Sequence, residues 1–145
     1  MEKLNPYLTF PGNCEEAFNF YKSIFGGEFL YVGRFSDIPT NDEVLIPEYK
    51  LNKIMHISLP IGKEVVLMGS DSGEEWSPEV KSGNNISLSV SASSKEQADR
   101  YFEAFSEHGK IIMQIGDVFW RSYYGVCTDQ FGVNWMVSYT EPNVK

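Results

Sequence analysis

The sequence predicts an α+β fold built from two modules, each of which runs strand, helix and then three strands. Three observations predict this fold. A short alternating strand precedes an amphipathic helix near the N-terminus, the same order of patterns returns after residue 85, and glycine follows each helix. We expect module one at 1–75 and module two at 80–145, within a single domain at 1–145, because this length suits one domain. The halves match in the order of their elements rather than in residue identity.

Module one is expected to begin with a strand at 5–10, in which Leu8 and Phe10 share one side. A Pro-Gly pair breaks this strand, and Asn13 is expected to cap a helix that ends before Gly26. Apolar residues recur within the helix at steps of three and four, which is typical of a helix that covers a core. Three further strands are predicted, with a long loop after the first of them: 28–35, 54–60 and 64–70.

Module two repeats this order. A strand at 86–90 is followed by a helix that either Ser93 or Ser94 caps and that Gly109 ends. Strands are then predicted at 110–118, 121–127 and 134–140.

The segment Thr-Asp-Gln-Phe-Gly at 128–132 predicts the turn between the last two strands. Asp129 can accept hydrogen bonds from the backbone of its own turn, and Gly132 can adopt a positive φ. Phe131 and Trp135 are expected to fill a hydrophobic corner, because aromatic side chains bury a large apolar area.

Composition limits the partners of this chain. Twenty acidic and twelve basic residues give a formal net charge of −8, and such a surface repels nucleic acid and anionic membranes. The N-terminal residues contain no long apolar stretch of the kind found in secretion signals, and the two cysteines have no metal-binding spacing. We therefore expect a cytoplasmic protein with free thiols that binds neither nucleic acid nor membrane.

Three stretches, 5–31, 55–62 and 119–139, carry a resemblance to a known family. Their most specific features are the Pro-Gly-Asn turn before an aromatic-rich helix and the pattern D-x-F-G-x-x-W at 129–135. With these features the chain resembles the PhnB-like branch of the glyoxalase/bleomycin resistance protein/dioxygenase superfamily, also called vicinal oxygen chelate. The resemblance implies two βαβββ modules whose cupped mixed sheets surround a cavity, and it implies a homodimer.

Members of this branch are often described as related to 3-demethylubiquinone 3-methyltransferase. We do not expect methyl transfer here. The sequence lacks a glycine-rich turn between a strand and a helix of a nucleotide-binding sheet, which such enzymes use for their cofactor.

Catalytic members of the superfamily hold a divalent cation with four side chains, usually His, Glu or Gln. Alignment of the two modules on their helices puts these positions at Asn5, at Met68 or its neighbour Leu67, at Asn85 and at Met136. Thioethers and amides are poor ligands for such cations. We therefore expect neither a metal nor another cofactor.

The cavity-facing residues follow from strand alternation, because one face of each sheet must cover a helix. His56 is the inward candidate that can exchange a proton near neutral pH, which makes it the candidate catalytic residue. The alternative is a histidine that forms a hydrogen bond across the sheet without chemistry. The candidate ligand-binding residues are Tyr7, Thr9, His56, Ser58, Ser87, Ser89, Trp120, Tyr124 and Met136.

Three functions remain open. The first is a protein that binds or sequesters a small, partly apolar molecule, as the bleomycin-resistance relatives do. The second is a metal-dependent lyase, isomerase or dioxygenase of glyoxalase type, with an unusual site that includes His56 and either Glu28 or Glu64. The third is a dimeric scaffold without a ligand. Whether the chain is an enzyme is not settled by the sequence.

Overall fold

The computed structural model describes residues 2–39, 46–72, 79–118 and 122–142. The chain divides into two compact units, Met1–Val80 and Lys81–Lys145, which we call unit 1 and unit 2. Each unit contains one α-helix and one four-stranded mixed sheet, which confirms the α+β class and the repeated order of elements. Within the described residues, no helix is long and apolar enough to cross a membrane.

Unit 1 arranges its strands in the order β1-β4-β3-β2. Strand β1 runs parallel to β4, and the other neighbouring strands are antiparallel. Two short 3-10 helices, Phe35–Asp37 and Glu48–Lys50, lie between β2 and β3. The main elements are β1 (Tyr7–Phe10), α1 (Cys14–Phe25), β2 (Tyr31–Arg34), β3 (Ile54–Ile61) and β4 (Val65–Asp71).

Helix α1 covers one face of this sheet with aromatic side chains. Phe18 is fully buried, and its ring lies edge-on to the rings of Phe10 at 6.1 Å and Tyr21 at 5.7 Å. A Cβ atom at Gly69 would lie 2.6 Å from the Phe18 ring. Glycine at this position therefore lets the helix approach β4, and it identifies the side of the sheet that faces the helix.

The start of α1 is held by a strand rather than by its own cap residue. Asn13 occupies the N-cap position as predicted, but its side chain makes no capping hydrogen bond. Asp71, at the end of β4, instead accepts hydrogen bonds from the backbone nitrogen atoms of Cys14 and Ile54, each at 2.9 Å. The prediction of a capping side chain at Asn13 is therefore wrong, because a buried carboxylate from the sheet binds the first helical N–H group.

Unit 2 has the same topology, with the strand order β5-β8-β7-β6 and a parallel pair formed by β5 and β8. The predicted cap at Ser94 is confirmed, since its side chain accepts a hydrogen bond from the backbone nitrogen of Gln97 at 3.0 Å. The elements are β5 (Leu88–Ser91), α2 (Lys95–Ser106), β6 (Lys110–Asp117), β7 (Ser122–Thr128) and β8 (Asn134–Thr140).

The turn between β7 and β8 forms around Asp129, as predicted. One carboxylate oxygen accepts hydrogen bonds from the backbone of Phe131 at 2.8 Å and of Val133 at 3.1 Å, and Gly132 has a φ of 89°. The other oxygen accepts a bond from the Trp135 ring nitrogen at 2.8 Å. Trp135 is buried and stacks on Phe105 of α2 at 4.2 Å, and Phe131 is half-buried.

The predicted role of Gly109 at the end of α2 differs from the observed one. The residue with positive φ is His108, at 60°, so the left-handed turn does not use the glycine. A Cβ atom at Gly109 would instead lie 2.2 Å from the Thr128 carbonyl oxygen. Glycine is needed there because two backbones approach each other closely.

Three predicted strands begin later than the alternation of side chains indicated. Strand β1 begins at Tyr7 rather than at residue 5, β2 at Tyr31 rather than at 28, and β5 at Leu88 rather than at 86. The expected start of β7, at residue 121, lies outside the described residues. Asn5 and Ser87 therefore precede their strands rather than belonging to them.

Candidate functional site

The face of the unit 1 sheet that does not contact α1 carries the main candidate site, and we call it the helix-free face of unit 1. Gly69 faces Phe18 of the helix, so Met68, its neighbour on β4, faces the other way. Strand register places Tyr7 beside Met68, Met68 beside Ser58, and Ser58 beside Tyr31. These side chains form one row across all four strands, with a phenol ring at each end.

His56 lies in the next row of the same face, opposite Gly33. The Tyr7 hydroxyl is 3.3 Å from Nδ1 of His56, and the centroids of the two rings are 5.6 Å apart. On β2, the Tyr31 ring centroid lies 5.9 Å from the imidazole centroid. The imidazole therefore contacts both phenol rings of the first row.

The position of Tyr31 depends on the absence of a side chain at Gly33. A Cβ atom at Gly33 would lie 2.6 Å from the Tyr31 hydroxyl oxygen, which shows that the phenol ring lies over the glycine. Sequence reasoning did not select Tyr31. Alternation within residues 28–35 puts Tyr31 and Gly33 on the same side, but both sides of this strand carry apolar residues, so the pattern does not identify the helix-free one.

The helix-free face of unit 1 carries no permanent charge within the described strands. Arg34 of β2 reaches Glu15 of α1, and Asp71 of β4 binds the backbone at the start of α1. Tyr7 and Tyr31 are each 48% exposed, whereas Ser58 between them is 4% exposed. Two accessible aromatic rings therefore lie on either side of a buried serine side chain.

Unit 2 repeats this arrangement on its own sheet. The register gives one row of Ser89, Met136, Val126 and Met113, and a second row of Ser91, Ser138, Tyr124 and Gly116. Gly125 faces Phe102 of α2, where a Cβ atom would lie 2.7 Å from its ring, so both rows face away from the helix. Met136 thus occupies the position of Met68, and Tyr124 the position of His56.

The structure locates most of the predicted ligand-binding residues on these two faces. Tyr7, Thr9, His56 and Ser58 lie on the helix-free face of unit 1. Ser89, Tyr124 and Met136 lie on the corresponding face of unit 2. Ser87 is exposed and precedes β5, and Trp120 lies outside the described residues. The binding roles of these residues remain predictions.

The side chains at the four family metal positions do not fit a divalent cation. The Asn5 side-chain oxygen accepts a hydrogen bond from the backbone nitrogen of Val66 at 3.0 Å, and Asn85 is exposed and precedes β5. Met68 and Met136 lie beside Tyr7 and Ser89 rather than beside the asparagines. In the four described segments, no three His, Cys, Asp or Glu side chains lie together as metal ligands would.

A cleft of about 630 Å³ lies at the start of α1. Several of its polar groups are paired, since Lys53 donates to the Gly12 carbonyl at 2.9 Å and Asp71 accepts from two backbone N–H groups. Among the described residues, the buried side-chain oxygen of Asn13 has no hydrogen-bond partner. Glu15 accepts two hydrogen bonds from Arg34, and this pairing holds the pKa of Glu15 below its usual value. These contacts stabilise the start of the helix rather than forming a second candidate site.

Neither cysteine is suited to nucleophilic chemistry. Both thiols are buried. Burial raises the pKa of Cys14 well above its usual range, and Asp71 and Glu15 add to the effect. Burial, with the nearby Asp129 carboxylate, raises the pKa of Cys127 to about 11. Both side chains are therefore protonated thiols at neutral pH.

Comparison with known proteins gives close matches over nearly the whole chain. The profile of the 3-demethylubiquinone-9 3-methyltransferase family matches residues 2–138. Protein YjdN of Escherichia coli (strain K12) is 30% identical over 143 residues, which cover 93% of each chain. The crystal structure of protein PA1353 from Pseudomonas aeruginosa is 36% identical, with a TM-score of 0.84 over 97% of this chain and 98% of that one.

Two further structures share the fold at lower identity. A PhnB protein from Bacillus cereus is 24% identical, with a TM-score of 0.77 over 96% of this chain and all of its own. A glyoxalase/bleomycin resistance protein/dioxygenase family enzyme from Burkholderia phytofirmans PsJN is 14% identical, with a TM-score of 0.58 over 95% and 96% of the two chains. At these identities the similarity concerns the arrangement of helices and strands.

Proposed function

The chain belongs to the 3-demethylubiquinone-9 3-methyltransferase family and shares the fold of a glyoxalase/bleomycin resistance protein/dioxygenase family enzyme, and on this premise we propose that it binds a small, partly apolar molecule. The binding surface is the helix-free face of unit 1. The observation that carries the proposal is the group formed by Tyr7, Tyr31 and His56, in which two half-exposed phenol rings contact one imidazole.

The chemistry of this surface supports binding. Rings of this size contribute a large apolar contact area, and the imidazole and the hydroxyl groups provide hydrogen bonds that orient a ligand. Met68, in the row between the phenols, adds a polarisable thioether that packs well against aromatic groups. A few directed polar groups among apolar ones are typical of small-molecule sites.

Two activities of related proteins receive less support. Metal-dependent chemistry of the glyoxalase type needs imidazole and carboxylate ligands, and the four family positions carry amides and thioethers. Methyl transfer needs a site for a nucleotide-like cofactor. The strand-to-helix connection after β1 is Pro-Gly-Asn on a mixed sheet, which is not the glycine-rich turn of a nucleotide-binding sheet.

The proposal is tested by screening a panel of metabolites and antibiotics for thermal stabilisation of the purified protein. A ligand at 100 times its Kd stabilises the native state by about 2.7 kcal/mol, which raises the Tm by several degrees. The affinity of each stabilising compound is then measured for Tyr31→Ala, in which it should be lower, and for Tyr49→Ala as a control. Tyr49 is 59% exposed and belongs to the short 3-10 helix Glu48–Lys50 rather than to a strand of the sheet.

Metal content is measured on the same protein, purified without a histidine tag. We expect less than about a tenth of an ion per chain, because tight sites need three or four suitable ligands. A panel without any hit, or a hit that keeps its full affinity in Tyr31→Ala, would contradict binding on this face. A stoichiometric ion would favour the enzymatic alternative.

A further inference from the structure

We propose that the ligand of the helix-free face of unit 1 is an uncharged, flat ring compound whose oxygen atom accepts a hydrogen bond from Nε2 of His56. This inference rests on the proposed function and deepens it by naming the class of ligand. It follows from three features of the face: the absence of permanent charge, the arrangement of the two phenol rings, and the orientation of the imidazole.

The absence of charged side chains on this face argues against ionic ligands. Arg34 and Asp71, the charged residues of the described strands in unit 1, both make their contacts on the side of α1. On the helix-free side of the described strands an anion would therefore find no Lys or Arg to pair with, and the formal net charge of the protein is −8. A cation would find aromatic faces but no carboxylate on this side of the described strands, so little offsets the cost of removing its water. An uncharged ligand meets neither penalty.

The arrangement of the two phenol rings favours a flat ligand. Tyr7 and Tyr31 stand at opposite ends of one row, and the spacing of neighbouring strands separates their positions on the sheet by roughly 14 Å. Both rings nevertheless approach His56, with centroid distances of 5.6 and 5.9 Å, so they lean towards the middle of the face. A flat ring can stack on such side chains and also contact the Met68 thioether.

The imidazole supplies the directed contact. The Tyr7 hydroxyl lies 3.3 Å from Nδ1, and a phenol that donates to this nitrogen leaves the proton of a neutral imidazole on Nε2. Within the described part of the chain, Nε2 makes no hydrogen bond. With the proton on Nε2, His56 is a donor towards the ligand, and the natural partner of such a donor is a hydroxyl or carbonyl oxygen.

The test compares four compounds built on the same fused pair of six-membered rings by titration calorimetry at pH 7.5. The probes are 2-naphthol, naphthalene without the oxygen, decahydro-2-naphthol without the flat shape, and the anion 2-naphthoate. We expect 2-naphthol to bind about 3- to 10-fold more tightly than naphthalene, the value of one net hydrogen bond. It should also bind more tightly than the non-flat alcohol and the anion.

Two variants locate the contacts. In His56→Phe the preference for 2-naphthol over naphthalene should disappear, while retained naphthalene binding shows that the site is still folded. In Gly33→Ala the new methyl group displaces the Tyr31 ring, and both flat compounds should bind more weakly. Gly116→Ala is the matched control, because it occupies the corresponding position of unit 2 and a Cβ atom there meets nothing within 4 Å.

The outcomes separate this inference from the proposed function. Tighter binding of 2-naphthoate, or equal binding of decahydro-2-naphthol, would overturn the ligand class while binding itself stands. The same holds if the wider panel yields a ligand and none of the four probes binds. A preference for 2-naphthol that survives in His56→Phe would overturn the role of the imidazole. Failure of the panel and the probes together would overturn both proposals.

Discussion

Asp129 and Asp71 show how one buried carboxylate organises the residues around it. Asp129 is 3% exposed and accepts hydrogen bonds from two backbone nitrogen atoms and from the Trp135 ring. Asp71 is 5% exposed and binds two backbone nitrogen atoms. The sequence predicted the first role, because an Asp two residues before the N–H group that it binds is a local turn pattern. It did not predict the second, because Asp71 lies 57 residues after Cys14.

Tyr123 offers a test of a single contact through its titration. Its hydroxyl donates to Asp99 of α2 at 2.5 Å, and this hydrogen bond raises the pKa of Tyr123 to about 12. The carboxylate favours the protonated phenol, so the contact contributes stability in full below the usual tyrosine pKa of about 10. That contribution is lost as the pH rises through about 12.

We expect Asp99→Asn to lower the pKa of Tyr123 towards the usual value, because the charged acceptor is removed. The measurement is an absorbance titration at 295 nm, in which one of the eight tyrosines should ionise earlier than in the original protein. Glu103→Gln removes an exposed acid from the same helix and serves as the control. A titration of Asp99→Asn that coincides with that of the control would show that the hydrogen bond does not hold the proton.

The start of helix α1 is bound by a residue at the end of a strand, Asp71 of β4. The spacing of apolar residues predicted the length of the helix, and the sequence also indicated Asn13 as the N-cap position. The partner of the first N–H group came from β4, since parallel pairing places Asp71 beside Phe10, three residues before Asn13. Long-range pairing of this kind leaves no local pattern, which is why alternation alone did not find it.

We expect Asp71→Ala to reduce the free energy of unfolding by about 3 kcal/mol or more, because two buried N–H groups lose a charged acceptor. Asp71→Asn keeps an acceptor oxygen and should cost less. Urea denaturation followed by circular dichroism measures both. The comparison is Asp37→Ala, which removes one exposed hydrogen bond, to the backbone of Arg34 at 2.8 Å, and should cost about 1 kcal/mol. Equal losses at Asp71 and Asp37 would show that the contact between strand and helix carries no special weight.

The duplication is the feature of the whole chain that the sequence predicted best. Periodicity and turn residues were enough to recover the order of elements, because each of these signals is local. Alignment of the two helices already placed Met68 and Met136 at equivalent positions, and the strand register agrees with it. The register that aligns His56 with Tyr124 needed the structure. Alternation separates the two faces of a strand, but it identifies the helix-free face only where the residues on the opposite face are clearly core residues. This condition holds for the strands of Tyr7 and His56. It does not hold for the strand of Tyr31, which carries apolar residues on both faces.

Charge is the other property of the whole chain, and it leads to the last prediction. The formal net charge is −8, and several cations of the described residues are already paired: Lys22 with Glu28 at 3.2 Å, Arg34 with Glu15, and Lys95 with Asp117 at 3.3 Å. Binding to DNA depends on free Lys and Arg that replace the counterions of the phosphates.

We therefore expect no change in the fluorescence anisotropy of a labelled 20-base-pair duplex at protein concentrations up to about 100 μM, since even non-specific DNA binders have Kd values of 10⁻⁴–10⁻⁶ M. The titration is run at low salt, where electrostatic binding is strongest, with a basic DNA-binding protein as the positive control. Saturable binding that weakens as salt is added would reveal a local basic surface strong enough to overcome the net charge.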